Sequence, residues 1–215
     1  MRPPRECRWS FPPREDWADD DVVAVGADLE PETLLWAYSH GMFPMRLHAR
    51  GEPIGWWSPV RRGIVPLDGL RITRSMRQSA RRYRCTVDHD FGAVMAACAT
   101  GRYDGNWIDA SFMEAYGELH RLGVAHSVEV WDADGDLVGG LYGVRIDRFF
   151  AGESMFHSAR DASKVALMFL VDLMRLDGMV LLDAQWRTPH LASLGCVEVG
   201  RDEYLALLDG AIDLL

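Results

Sequence analysis

Three apolar runs constrain what this chain can become more than any other feature: AHSVEVW (125–131), LVGGLYGVRI (137–146) and FFAGESMF (149–156). They are separated only by DADGD and the pair Asp147-Arg148. Connections that short join antiparallel neighbours, so the three runs predict a meander. The long apolar helix SKVALMFLVDLMRLDG and a further strand, MVLLDAQ, follow. A helix between two strands carries the chain back along the sheet, so MVLLDAQ enters parallel to the strand that precedes it. A short helix at PHLASLG, a strand at CVEVG and a last helix, DEYLALLDGAIDLL, complete the pattern.

The chain ahead of this core has a different texture. Residues 1–65 are rich in Pro, Trp and Gly and contain one clear helix, PETLLWAYSHG, with Pro31 in its first turn and Gly41 at its stop. MFPM and GWWSPVRRG read as loop or short strand. A helix over 74–82, a strand at YRCTV and helices at DFGAVMAACA and EAYGELHRL then lead into the meander. Ser111 and Glu114 have capping-box spacing before the second of these helices, and Gly123 ends it. The expectation is a small N-terminal domain, 1–65, and a mixed α+β or α/β domain, 66–215. The order β-β-β-α-β-α-β with one parallel crossover is that of N-acetyltransferase-like (GNAT-like) acyltransferases, an analogy that carries fold and not function.

Composition excludes several classes. With 215 residues, 48% hydrophobic, the chain can bury a real core. No apolar run approaches the length that spans a bilayer, and MRPPRECRWSFPPRED lacks the apolar stretch of a signal peptide, so the expected location is the cytoplasm. Cys7, Cys85, Cys98 and Cys196 show no ligand or disulfide spacing and read as small buried hydrophobes. A formal charge of −9 argues against a generic nucleic-acid coat. Against that background, RITRSMRQSARRYR holds six arginines and no acid: Arg71, Arg74, Arg77, Arg81, Arg82 and Arg84. The first four fall three or four residues apart, on one face of a helix, where they form either a solvated surface or a grip on a few phosphates.

Glu153 is the anomaly in the pattern. A carboxylate inside FFAGESMF is costly to desolvate unless it is paired, hydrogen-bonded or used in chemistry. Lys164, the only lysine, is one candidate partner. Asp161 is placed to cap the helix after that strand. Ser127 and Glu129 share a strand face, and so do Asp183 and Gln185, since side chains two apart on a strand point the same way.

Read in order, LLWAYSHGMFP, WWSPVRR, TRSMR, NWI, EAYGELHRLGVAHSVEVW, LVGGLYGV, FAGESMF, ASKVAL, LDAQ and HLASLG resemble the blocks of leucyl/phenylalanyl-tRNA–protein transferases, from about residue 20 to residue 205. The resemblance implies an aminoacyltransferase without metal or coenzyme. Its partners would be leucyl- or phenylalanyl-tRNA and proteins with N-terminal arginine or lysine, with no membrane involved and the enzyme a monomer. The product would be marked for adaptor-dependent proteolysis. An aminoacyl ester is already activated, so aminolysis needs positioning and a proton acceptor rather than a nucleophile or ATP.

By motif position the resemblance implies a relay of Asp183 and Gln185, with the Asp183 carboxylate polarising the Gln185 amide, and places Glu153 where it would attract the cationic acceptor. Tyr38, Trp107 and Tyr116 would hold the terminal adenosine by stacking, although Met45 stands where the family's FPW motif has tryptophan. Leu141, Phe150 and Leu170 would form the amino-acid pocket. The arginines at 71, 74, 77, 81, 82 and 84, with Arg61 and Arg62, would hold tRNA. Two rival readings are a coenzyme-A N-acetyltransferase and a noncatalytic RNA- or peptide-binding module. The first calls for a glycine-rich pyrophosphate turn, and FHSARDASK has no glycine.

Overall fold

The computed structural model of the protein describes residues 7–47, 53–100 and 107–212; residues 1–6 of the N-terminal segment and 213–215 of the last expected helix lie outside these. In chain order the elements are β1 (Val22–Val25), α1 (Pro31–Ser39), β2 (Phe43–Arg46), β3 (Ile54–Trp57), β4 (Arg61–Ile64), α2 (Arg74–Ala80), β5 (Arg84–Val87), α3 (Phe91–Ala99), α4 (Ala110–Arg121), β6 (Ala125–Trp131), β7 (Leu137–Ile146), β8 (Phe149–His157), α5 (Ala162–Leu176), β9 (Leu181–Gln185), α6 (Pro189–Ser193), β10 (Val197–Gly200) and α7 (Arg201–Ala211). Among the described residues a three-stranded sheet has the order β1-β3-β2, and a seven-stranded sheet the order β10-β4-β9-β8-β7-β6-β5.

The meander β6-β7-β8 is antiparallel and β9 joins β8 in parallel after α5, as the run lengths require. Strand β4, from the Pro- and Trp-rich stretch, inserts between β10 and β9 and so ties the first part of the chain into the larger sheet. Strand side chains alternate between two cores. Phe149, Ala151 and Leu181 join the one built with α3 and α4, while Phe150 and Leu182 join the one under α5.

Local signals act as expected at Pro31, the first residue of α1, and at Gly41 and Gly123, whose φ of +89° and +73° end α1 and α4. Two caps differ from the sequence reading. Helix α4 is capped by Asp109, which accepts from the Ser111 and Phe112 N–H groups, and not by Ser111. Asp161 stands at the start of α5 in a left-handed conformation, φ 60°, and makes no capping bond. Its carboxylate instead accepts from Lys164 and from Ser75 and Ser79 of α2, pinning α2 against α5.

One irregularity in the sheet positions everything that follows. Between β7 and β8 the register pairs Tyr142 with Ser154 and Gly143 with Gly152, so Glu153 is the extra residue of a β-bulge. Beyond it the alternation is reset: Met155 packs under α5 and Phe156 on the opposite core, the reverse of an unbroken strand. Bulges re-aim side chains next to functional sites. Gly143, opposite the bulge, has no room for a side chain, because a Cβ there would collide with the Ala151 carbonyl oxygen and the Phe150 ring. Gly143→Ala is therefore expected to destabilise the fold by roughly 1–3 kcal/mol, as overpacking does. A thermal melt that does not move would show that the bulge is loose.

Candidate active site

The β8–β9 ladder ends at Ala151 opposite Asp183, although β8 runs on to His157 and β9 to Gln185. Past that rung, residues 152–155 and 184–186 line a common cavity of about 310 Å³. Leu141, Leu167, Leu170 and Leu182 supply an apolar wall, and Glu153, Asp183 and Gln185 a polar one. Of the three residues expected in an amino-acid pocket, Leu141 and Leu170 line this cavity. Phe150 does not: it precedes the bulge, pairs with Leu182 in register and is buried in the core behind the wall.

Glu153 is held by three donors. The Tyr38 hydroxyl donates to Oε1 at 2.7 Å, the Gln185 amide to the same oxygen at 3.1 Å, and the Tyr116 hydroxyl to Oε2 at 3.2 Å. The two phenols also bond each other. Burial pushes the Glu153 carboxyl up to about 7; the Asp183 charge adds to this, and the hydrogen bonds only partly oppose it. Burial and the Glu153 charge raise both phenols, which keeps them protonated donors. Lys164 is bonded to Asp161 and plays no part here.

Tyr38 and Tyr116 are therefore fully buried ligands of a carboxylate, and the open stacking faces expected of them are not what the fold presents. Trp107 is half-buried and packs edge-on against Phe112, ring centroids 5.1 Å apart. Met45 lies in β2, where its carbonyl accepts from the Trp57 indole at 3.3 Å.

Asp183 has a partner that the sequence reading placed elsewhere. Arg62, expected among the residues that hold tRNA, is only 1% exposed and Asp183 is 0% exposed. The guanidinium grips the carboxylate with both arms, Nε to Oδ1 at 2.8 Å and Nη2 to Oδ2 at 2.5 Å. Tyr204 donates to Oδ2 at 3.0 Å, and the Gln185 backbone N–H donates to Oδ1 at 2.9 Å. Phe43 and Tyr204 lie against the guanidinium, which also donates to the carbonyl of Gly41. Burial alone would lower the Arg62 pKa, but the Asp183 charge outweighs it and raises it.

The expected contact between Asp183 and the Gln185 amide is thus replaced by one to the Gln185 backbone. Gln185 is in the left-handed region, φ 63°, where strict strand alternation no longer governs its side chain, which turns to Glu153 instead. Sequence patterning contains one signal for the Arg62 pairing: a lone aspartate in an apolar strand must be paired or hydrogen-bonded, and a buried cation is one such partner. Which arginine supplies it is a matter of strand order.

The arginines at 71, 74, 77, 81, 82 and 84 are all exposed, and none forms a salt bridge among the described residues. Arg84 lies over the Trp131 ring. Arg61 is exposed on β4. Ser127 and Glu129 find each other: Glu129 is buried and accepts from Ser127 and Thr86, and neither residue lines the cavity. Among the described residues no three His, Cys, Asp or Glu side chains converge as metal ligands would.

Two family sequence models match the chain. One, described as leucyl/phenylalanyl-tRNA protein transferase, covers residues 64–209, and its N-terminal domain counterpart covers 27–60. A leucyl/phenylalanyl-tRNA–protein transferase of Pseudoalteromonas atlantica is 47% identical over 208 residues, 94% of this chain and 88% of the relative. One of Pseudomonas putida is 47% identical over 210 residues, 95% and 92% of the two chains. Solved structures are more remote. L-PGS from Bacillus licheniformis has a TM-score of 0.40 at 14% identity, covering 75% of this chain and 55% of its own, a likeness too slight to bear on function.

Proposed function

The chain belongs to the leucyl/phenylalanyl-tRNA–protein transferase family, and from that premise we propose how its cavity works: it transfers leucine or phenylalanine from aminoacyl-tRNA to an N-terminal arginine or lysine of an acceptor protein. The observation that supports this most is the meeting of an apolar wall with a carboxylate that titrates near neutrality in one cavity, where β8 and β9 part.

The leucyl or phenylalanyl side chain rests on Leu141, Leu167 and Leu170, with the ester carbonyl toward the strand ends. The acceptor's α-amine, with an ordinary pKa of about 7.7–8.0, is partly neutral at cellular pH. It attacks the ester carbon beside Glu153 and Gln185. With its amide nitrogen committed to Glu153, Gln185 offers its amide oxygen to orient the amine. Glu153 takes the proton that the amine must lose. The C–N bond forms, the ester C–O bond breaks, and the proton passes on to the departing ribose oxygen.

Asp183 does no proton transfer in this scheme. Paired with Arg62, it fixes the backbone of Gln185 and, through its charge, helps hold Glu153 near neutrality. The exposed arginines of α2 face the tRNA. The product carries a new N-terminal leucine or phenylalanine, a mark for proteolysis, and the reaction takes place in the cytoplasm, where charged tRNA is found.

The test is a mass measurement. After incubation with leucyl- or phenylalanyl-tRNA, a peptide beginning with arginine or lysine should gain one leucine or phenylalanine residue. A peptide that gains an acetyl group from acetyl-coenzyme A instead would overturn the reading.

A further inference from the structure

His190 stands in the wall of the acyl cavity and also in that of a second recess, about 580 Å³, between α2 and the start of α5. Every side chain lining that recess is polar, and Arg160, Lys164, His157 and Ser163 are among them. Its one carboxylate, Asp161, is already engaged by Lys164 at 2.8 Å, Ser75 at 2.7 Å and Ser79 at 3.2 Å. Arg160 is not engaged in the same way. Its side chain is 84% exposed, lies 3.8 Å from Asp161, and reaches Ser75 at 3.4 Å. The recess thus presents a spare guanidinium and an ammonium with donors left over, beside His190 and a Ser163–His157 pair bonded to each other at 3.3 Å, a set suited to a small anion.

The identity of the anion follows from what the neighbouring cavity holds. In an aminoacylated RNA only a few bonds separate the esterified ribose oxygen from the 5′-phosphorus of the same nucleotide. An ester in the acyl cavity therefore carries a phosphate just past its wall. Arg74 and Arg77 on α2 and Arg81 at its C-cap are exposed cations on another face of the helix that forms one side of the recess, available to further phosphates of the same strand, whereas an acidic peptide would need only the recess itself. Resting on the proposed transfer reaction, we infer that the recess beside His190 binds the 5′-phosphate of the terminal nucleotide of the donor RNA, through Arg160 and Lys164.

The experiment compares two minimal donors, 3′-O-leucyl-adenosine and the same nucleoside carrying a 5′-phosphate, each with an arginine-initiated peptide. The phosphate should raise kcat/KM by about tenfold or more, the worth of one good ionic contact. Arg160→Gln and Lys164→Gln should remove that gain while leaving use of the unphosphorylated donor unchanged. Equal use of both donors by the wild-type chain, or a phosphate gain that survives in both variants, overturns the assignment. So does a rate loss in Arg160→Gln that appears only with peptides acidic at the second position, which would give the recess to the acceptor. If neither donor nor charged tRNA is used, the transfer reading has failed, and calorimetry still decides the recess. Adenosine 5′-phosphate should then bind more tightly than adenosine, and a preference that is absent, or that Arg160→Gln leaves intact, sinks the inference.

Discussion

Arg62→Leu should cost the protein roughly 3–5 kcal/mol of unfolding free energy, the largest loss expected from any single substitution in the site, read as a fall in the urea midpoint. The reason is what it leaves behind. Asp183 sits in the core with both carboxylate oxygens gripped by the guanidinium, and removing the cation strands a buried charge. Tyr204 and the Gln185 N–H remain as partners, but neither supplies a positive charge. Replacing both residues by leucine should recover much of the stability, since buried ion pairs exchange for apolar side chains at little cost. Transfer should stay low in the double variant, because the Gln185 backbone has lost the acceptor that holds it. A double variant with full activity would show that the pair serves folding alone.

Glu153→Gln should lower kcat for transfer by about 10²–10⁴, the range that a positioned proton acceptor contributes. The pH dependence makes this prediction sharper. Because Glu153 titrates near 7, the wild-type rate should fall as pH drops through 7 and the carboxylate is protonated. Stability should run the other way. The folded pKa is raised above the ordinary 4.5, so the folded state binds the extra proton, and this contribution is complete below pH 4.5. It is lost as pH rises from 4.5 to 7, by roughly 3 kcal/mol. Glu153→Gln should flatten that slope and, at a fixed concentration of neutral acceptor amine, abolish the rate profile. A wild-type rate that is level from pH 6 to 8, measured with excess neutral acceptor amine, would remove Glu153 as the proton acceptor.

Much of this architecture is legible in the residues because local chemistry dictates it. The meander follows from linkers too short to do anything else, and α1 begins at Pro31 and ends at Gly41 as such residues require. Glu153 stands out as a charge among hydrocarbons, and the apolar pocket is half legible in Leu141 and Leu170. What patterning misses depends on sequence-distant neighbours. Arg62 looks like one more surface arginine until β4 is seen beside β9. Tyr38 and Tyr116 look like ring platforms until both hydroxyls are seen to converge on one carboxylate from α1 and α4. The period-two reading of Asp183 and Gln185 fails for a local reason, the left-handed turn at Gln185 that ends the strand.

The insertion of β4 between β9 and β10 also sets a timetable for biosynthesis. Arg62 leaves the ribosome early, while both strands that will flank it come from the far end of the chain. The larger sheet cannot close, nor Asp183 be neutralised, until translation is nearly complete. A nascent chain stalled before β9 should therefore lack a working catalytic cleft however well its first helices have formed.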